Sequence, residues 1–364
     1  MTLYKCIKVT DSDVTSFEKH RENMLIGSET GELVHIHLPN YDIIQKVQLK
    51  GEIIQIKFIK NQQAIIITDM NLMYLINFQL EILNILSVVQ PQKVIVHDST
   101  IILLQYNFGV SFYQIDNSII QQTNDIQGKY TDVVIDKLSN ILFLIGNNLI
   151  IYDMQHLKII VKDKTFQGTM VYYQNYVLLI AQDSILIKVI LNKNFTIKQN
   201  SVQELSNIIY GFRKLDYLYI ESDSLIQLTE NLDVKNSFPG SLPIVNTIIF
   251  PQPTQFGLIP LICISMNNNS CIIIDFHNQK QLLQFTPLCG DDLQLQEQLT
   301  VATEEDKISL IKNYDQQLFQ DKYPLLQFID GFIFATGNTY IQLFQVQFEK
   351  PVEELSIIKE EDSK

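Results

Sequence analysis

Runs of about five apolar residues, separated by short polar turns, recur along most of the chain. Some are continuous, such as Ala64-Ile65-Ile66-Ile67 and Ile141-Leu142-Phe143-Leu144-Ile145. Their shortness and their flanking turns identify them as strands buried on both faces, not as helix segments. The runs are grouped. Each group reads apolar strand, turn, apolar strand, polar turn, apolar strand. The turn before each third strand falls at Thr30-Gly31, Met70-Asn71, Phe108-Gly109, Asn147-Asn148, Asp183-Ser184, Asp223-Ser224, Asn268-Asn269 and Gly337-Asn338. Counted from Thr30 through Met70, Phe108, Asn147, Asp183, Asp223 and Asn269 to Asn338, the spacings are 40, 38, 39, 36, 40, 46 and 69 residues. A period of ~40–45 residues carrying four short strands is the pattern of a β-propeller. The expected fold class is therefore all-β, a single propeller.

The expected strands of the first unit are 14–20, 24–28, 32–38 and 43–49, and those of the second 53–59, 64–68, 72–78 and 82–89. Five further units follow, to residue 285. The fifth is expected to close with a strand at 195–198. Three last strands at 325–329, 332–336 and 340–347 lack a fourth, and an isolated strand at 2–10 is free to supply it. Pairing the two chain ends would remove the exposed sheet edges. This gives eight blades, or seven if the third or sixth unit is misread. The domain limits are a propeller over 1–348, interrupted by an insertion at 288–323, and an acidic tail over 349–364 without expected order.

The third strands end in Ile115-Asp116, Tyr152-Asp153 and Ile274-Asp275, and Gly27-Ser28-Glu29-Thr30-Gly31 forms a turn before one of them. With these residues the chain resembles a strongly diverged WD40-type propeller. They stand where that family has Trp-Asp and a Gly-Ser-x-Asp-Gly turn. The chain has no Trp, and no Gly-His pair opens a unit, so the family's His–Asp network is not carried over. The resemblance implies an assembly platform for other proteins.

Hydrophobic residues make up 46% of the 364 and charged residues 18%, a globular composition. No stretch of about 18 apolar residues occurs, so no membrane-spanning helix and no direct membrane insertion is expected. The first residues lack a signal-peptide core. Together with four cysteines in no metal or redox spacing (Cys6, Cys263, Cys271 and Cys289), this leads us to expect an intracellular, cytoplasmic protein with buried free thiols. The net charge of −13 is concentrated. Residues 291–321 carry −6 and 349–364 carry −3, which leaves −4 on the rest of the chain. No basic stripe is available for a phosphate backbone, so nucleic acid is not an expected partner.

Candidate chemistry is sparse. His35 and His37 share a strand face, but His20, His97, His156 and His277 are scattered, and no metal or other cofactor is expected. Tyr172, Tyr173, Tyr217 and Tyr219 read as blade core and rim. Asp132, Asp136, Asp153 and Asp183 read as turn and cap residues. No phosphate loop, nucleophile elbow or zinc-protease helix occurs, and no catalytic residue is assigned. The insertion breaks the repeat. Thr303 followed by Glu304, Glu305 and Asp306 has the pattern of a helix start, and Ile308, Ile311, Tyr314 and Leu318 would form one apolar face of a helix over about 304–320. These seven residues, from Glu304 to Leu318, are the expected partner-binding site.

The function expected from this reading is a non-catalytic scaffold, a monomeric propeller within a hetero-complex. The abundance of Ile, Asn, Gln and Lys suggests an AT-rich eukaryotic genome. A dedicated subunit of one large complex is a second possibility. A different class, an enzyme or small-ligand binder using the central channel, would place acids or histidines such as His97 or Asp132 beside another ionisable group on the inner strands.

Overall fold

The computed structural model describes residues 2–285 and 325–345, apart from 39, 60–61, 183, 205–209, 215–216, 222–223, 230–231, 240–243, 255–256, 267–269, 276–279, 330–331 and 338. The expected helix at 304–320 and the tail at 349–364 lie outside the described residues. Among the described residues every regular element is a strand. The strands form eight four-stranded antiparallel sheets. Seven are meanders of consecutive strands: sheet 1 (14–48), sheet 2 (53–87), sheet 3 (91–127), sheet 4 (130–163), sheet 5 (169–204), sheet 6 (210–239) and sheet 7 (244–285). Sheet 8 joins the last three strands to Thr2–Lys8, which pairs with Tyr340–Gln345. The third and sixth units both form complete four-stranded sheets.

Where their burial is described, the middle strands are buried on both faces. Asn23–Ser28, Gln63–Thr68, Thr100–Gln105 and Ile141–Gly146 are almost continuously buried, which explains their unbroken apolar runs. One face packs on the preceding sheet and the other on the following one. Ile26, Val34 and Ile36 of sheet 1 meet Phe334, Ile341 and Leu343 of sheet 8, while Leu25 and Leu33 meet Ile66 and Tyr74 of sheet 2. The same alternation continues between sheets 2 and 3, 3 and 4, 4 and 5, 5 and 6, and 7 and 8. First strands of neighbouring sheets touch one another, as in Val14–His20 with Ile53–Ile59. Fourth strands form the outer edge, and Asp42–Gln48 is largely exposed.

A register shift recurs in the first strand, between Val14 and Ser16, Ile53 and Gln55, Pro91 and Lys93, and Tyr130 and Asp132. Such bulges turn side chains sideways along the sheet edge. Because the strands alternate in direction, each turn before a third strand lies at the same end as the linker to the next sheet. Backbone bonds tie the two together there: Glu29 N–H to Asp13 O (2.9 Å), Asp69 to Glu52 (3.0 Å), Tyr106 to Gln90 (3.0 Å) and Asn147 to Lys129 (3.3 Å). We call this the linker end.

Candidate functional site

The first strands carry the polar groups a channel chemistry would use, and the bulges aim them at the neighbouring sheet. Thr15 Oγ1 and Ser16 Oγ donate to Ile53 O at 2.7 and 3.1 Å. One sheet further on, Gln55 Nε2 donates to Gln92 O at 2.7 Å and its Oε1 accepts from Val94 N–H at 2.8 Å. In the next, Lys93 Nζ meets Asp132 Oδ1 at 2.7 Å, and Thr131 Oγ1 then bonds Gly168 O. Asp132 therefore does lie beside an ionisable group on an inner strand. Yet the pair occupies the register position that neutral Ser16 and Gln55 use for the same link, so its geometry is that of an inter-sheet staple. Towards the other end, Glu18 pairs with Lys57 at 2.9 Å and Tyr173 donates to Asp136 Oδ2 at 2.9 Å. His97 Nε2 donates to Asn140 Oδ1 at 2.6 Å, with the Asp98 carboxylate 3.8 Å away. Burial, then the Asp136 carboxylate, pushes the Tyr173 phenol far above its ordinary range.

The other expected residues divide cleanly. His35 is buried, donates through Nε2 to Asn23 Oδ1 at 2.8 Å and lies 5.7 Å from the Phe78 ring. Burial, aided by neighbouring His37, lowers its pKa and keeps it neutral, although the Phe78 backbone opposes the shift. His37 instead faces Glu22 at 3.6 Å. Among the described residues no three His, Cys, Asp or Glu side chains converge as a metal site. Cys263 and Cys271 are buried free thiols in one core cluster. Burial pushes Cys271 up to about 12 and Cys263 well above the usual thiol range. Asp136 and Asp153 cap turns, accepting from Leu138 N–H at 3.1 Å and from Gln155 and His156 N–H at 2.9 and 3.0 Å. The expected partner-binding residues Glu304, Glu305, Asp306, Ile308, Ile311, Tyr314 and Leu318, and likewise Asp183, lie outside the described residues.

Sequence reasoning missed a patch at the linker end of sheets 2 and 3. The turn tips there are Asp69-Met70-Asn71 and Tyr106-Asn107-Phe108, and both had been counted only as polar turn markers. Met70, Tyr106 and Phe108 are 62%, 52% and 56% exposed, with Val89 of the intervening linker also exposed. Equivalent tips elsewhere are polar: Glu29-Thr30 in sheet 1 and Asn147-Asn148 in sheet 4. Below Phe108 and Val89 lies a cleft of ≈ 370 Å³ between the two sheets. The available signal was Tyr-Asn-Phe standing where the repeat calls for polar residues.

Alternating four-stranded sheets packed face to face in chain order, with polar links between their first strands, define a β-propeller repeat protein. No family model matches the chain, and no curated protein matches it. Solved structures do. BamB from Moraxella catarrhalis superposes with a TM-score of 0.67 at 9% identity, covering 95% of this chain and 99% of that one. Sqt1 from Saccharomyces cerevisiae, a WD40 protein, gives 0.67 at 9% identity, with 95% and 99% covered. Dihydro-heme d1 dehydrogenase NirN, in complex with DHE, gives 0.58 at 8% identity. The match covers 72% of this chain and 64% of that one. At such identities the likeness is one of fold. No helix among the described residues is long and apolar enough to cross a membrane.

Proposed function

We propose that the eight sheets are the blades of one closed, strongly diverged WD40-type propeller, and that the protein is a non-catalytic platform that binds other proteins in an intracellular, cytoplasmic assembly. Asp116, Asp153 and Asp275 each end a third strand, where the WD40 pattern has its Asp, which supports the family reading. The observation that carries the platform reading is the exposed Met70–Val89–Tyr106–Phe108 patch. Apolar side chains on turn tips cost solubility and add nothing to the core, so a docking surface accounts for them. The stretch from Glu304 to Leu318, in the insertion between sheets 7 and 8, is a second proposed docking element.

The test is purification of the native chain from its source cells with cross-linking, beside a Met70→Asp/Phe108→Asp variant. The expected result is a stable set of co-purifying proteins that the variant loses while keeping its thermal midpoint. Recovery of the wild-type chain alone, or an unchanged set with the variant, would overturn the reading.

A further inference from the structure

The cleft beneath the patch borders a departure from the repeat. In each sheet one residue of the third strand points at the preceding sheet, opposite the position of Ile26 in sheet 1. Cross-strand registers place Val34, Tyr74, Ser111, Ile150, Ile187, Ile226, Ile272 and Gln342 at this position, in chain order. All eight are buried. Ser111 is the smallest, and it lines the cleft. Its hydroxyl donates to Gln105 Oε1 at 2.8 Å, and both residues are more than nine-tenths buried. The Gln105 position is polar or Gly in the neighbouring sheets too (Ser28, Thr68 and Gly146), so the polar residue added in sheet 3 is Ser111, as Gln342 is in sheet 8.

The edge strand departs at the same row. The residue paired with the Ser111 position is Lys46 in sheet 1, Ile85 in sheet 2 and Lys162 in sheet 4, but Asp125 in sheet 3. Asp125, exposed to solvent, is the one charged side chain lining the cleft. Gln122 and Gln127 flank it on the same strand, and Val88, Val89 and Phe108 form an apolar lip.

From this we infer that the cleft takes the arginine side chain of an extended segment of a partner protein. The carboxylate answers one positive charge. The amide oxygens match the remaining N–H donors of a planar guanidinium, and the apolar lip covers its methylene stem. This inference deepens the platform reading and rests on it.

The experiment is saturation-transfer NMR on the purified full chain with three probes at millimolar concentration. They are the blocked peptide Gly-Leu-Arg-Leu-Gly, the same peptide with citrulline for arginine, and N-acetylargininamide. The arginine peptide is expected to bind at least about tenfold more tightly than its neutral isostere, the size of one charge-assisted contact. Asp125→Asn should erase that preference. Ser111→Tyr, which puts the residue of sheet 2 at this position, narrows the cleft and should weaken binding of both peptides. Equal binding of arginine and citrulline peptides, no binding at all, or binding that the narrowed cleft leaves unchanged would overturn the proposal. N-acetylargininamide binding as tightly as the peptide would also overturn it, in favour of a small guanidine ligand. If the peptide fails while co-purification still depends on Met70 and Phe108, the platform reading stands and only this inference falls. If the peptide binds but nothing co-purifies, the reverse holds.

Discussion

The junction of sheets 4 and 5 and the junction of sheets 2 and 3 are the same construction with different fillings. Between sheets 4 and 5, Phe143 is fully buried, with its ring 4.2 Å from Tyr173 and 6.3 Å from Phe195, and Leu178, Ile180 and Ile187 close around it. Between sheets 2 and 3, aliphatic packing holds the deeper layer through Ile65, Ile67, Ile101 and Leu103, then gives way to Ser111 and Gln105 toward the linker end. A repeat fold supplies its own control. What the sheets share serves packing; the row is broken by Ser111 in sheet 3 and by Gln342 in sheet 8, and at Ser111 the break borders a cleft.

Two substitutions test whether the filled junctions carry the stability. Phe143→Ala removes the largest fully buried side chain among the described residues and leaves a cavity walled by rigid strands. A loss of about 3–5 kcal/mol is expected from denaturant titration. Val34→Ser makes sheet 1 resemble sheet 3 at the critical row, but without a Gln105 to receive the hydroxyl. A cost of about 2–3 kcal/mol is expected, from lost burial and an unmatched polar group. A neutral Val34→Ser would mean that the row tolerates any residue, and the contrast with Ser111 would lose its force.

The strand pattern was legible because buried strands must be continuously apolar, and Ala64 to Ile67 is a short run that turns cut off. Fourth strands were read less well. The fifth unit's edge strand was expected at 195–198 and is found at Ile197–Glu204. The actual turn is built by Asn192, whose Oδ1 accepts from the Asn194 and Thr196 N–H groups at 2.9 and 3.0 Å, with Phe195 in a left-handed conformation. Edge strands face solvent on most sides, so Gln199, Asn200 and Ser201 carry no apolar signal even though they pair fully. Nor could the cleft be read directly. Ser111 and Asp125 are unremarkable until register sets them opposite each other and aligns them with Val34 and Lys46.

The inter-sheet staples give a smaller, pH-dependent effect. Tyr173→Phe removes the hydroxyl donated to Asp136, at an expected cost of about 1–2 kcal/mol near neutrality. The folded state raises the Tyr173 pKa above the unfolded value of about 10. That stabilisation is therefore complete below pH 10 and is lost as pH rises from there through the raised folded value. Wild-type stability should fall more steeply above pH 10 than that of Tyr173→Phe, so the two curves converge. Parallel curves would mean that Tyr173 does not sense its burial.

The smallest effect is the most informative, because its sign is opposite to the rest. Ser111→Val adds about one buried methylene equivalent, worth roughly 0.8 kcal/mol. Alone it also strips Gln105 Oε1 of its donor inside the protein, at about 1–3 kcal/mol, so the single variant should be neutral or slightly destabilised. The buried Tyr113 phenol also hydrogen-bonds Ser111 and must be changed with them, so that no polar group is left in need of a partner. Ser111→Val/Gln105→Leu/Tyr113→Phe should therefore gain about 1 kcal/mol over wild type in denaturant titration. A stabilised triple variant would show that sheet 3 gives up packing energy that its neighbours keep. A destabilised one would show that the Ser111–Gln105 bond is itself part of the junction, and the cleft would then be a by-product of that bond and not its purpose.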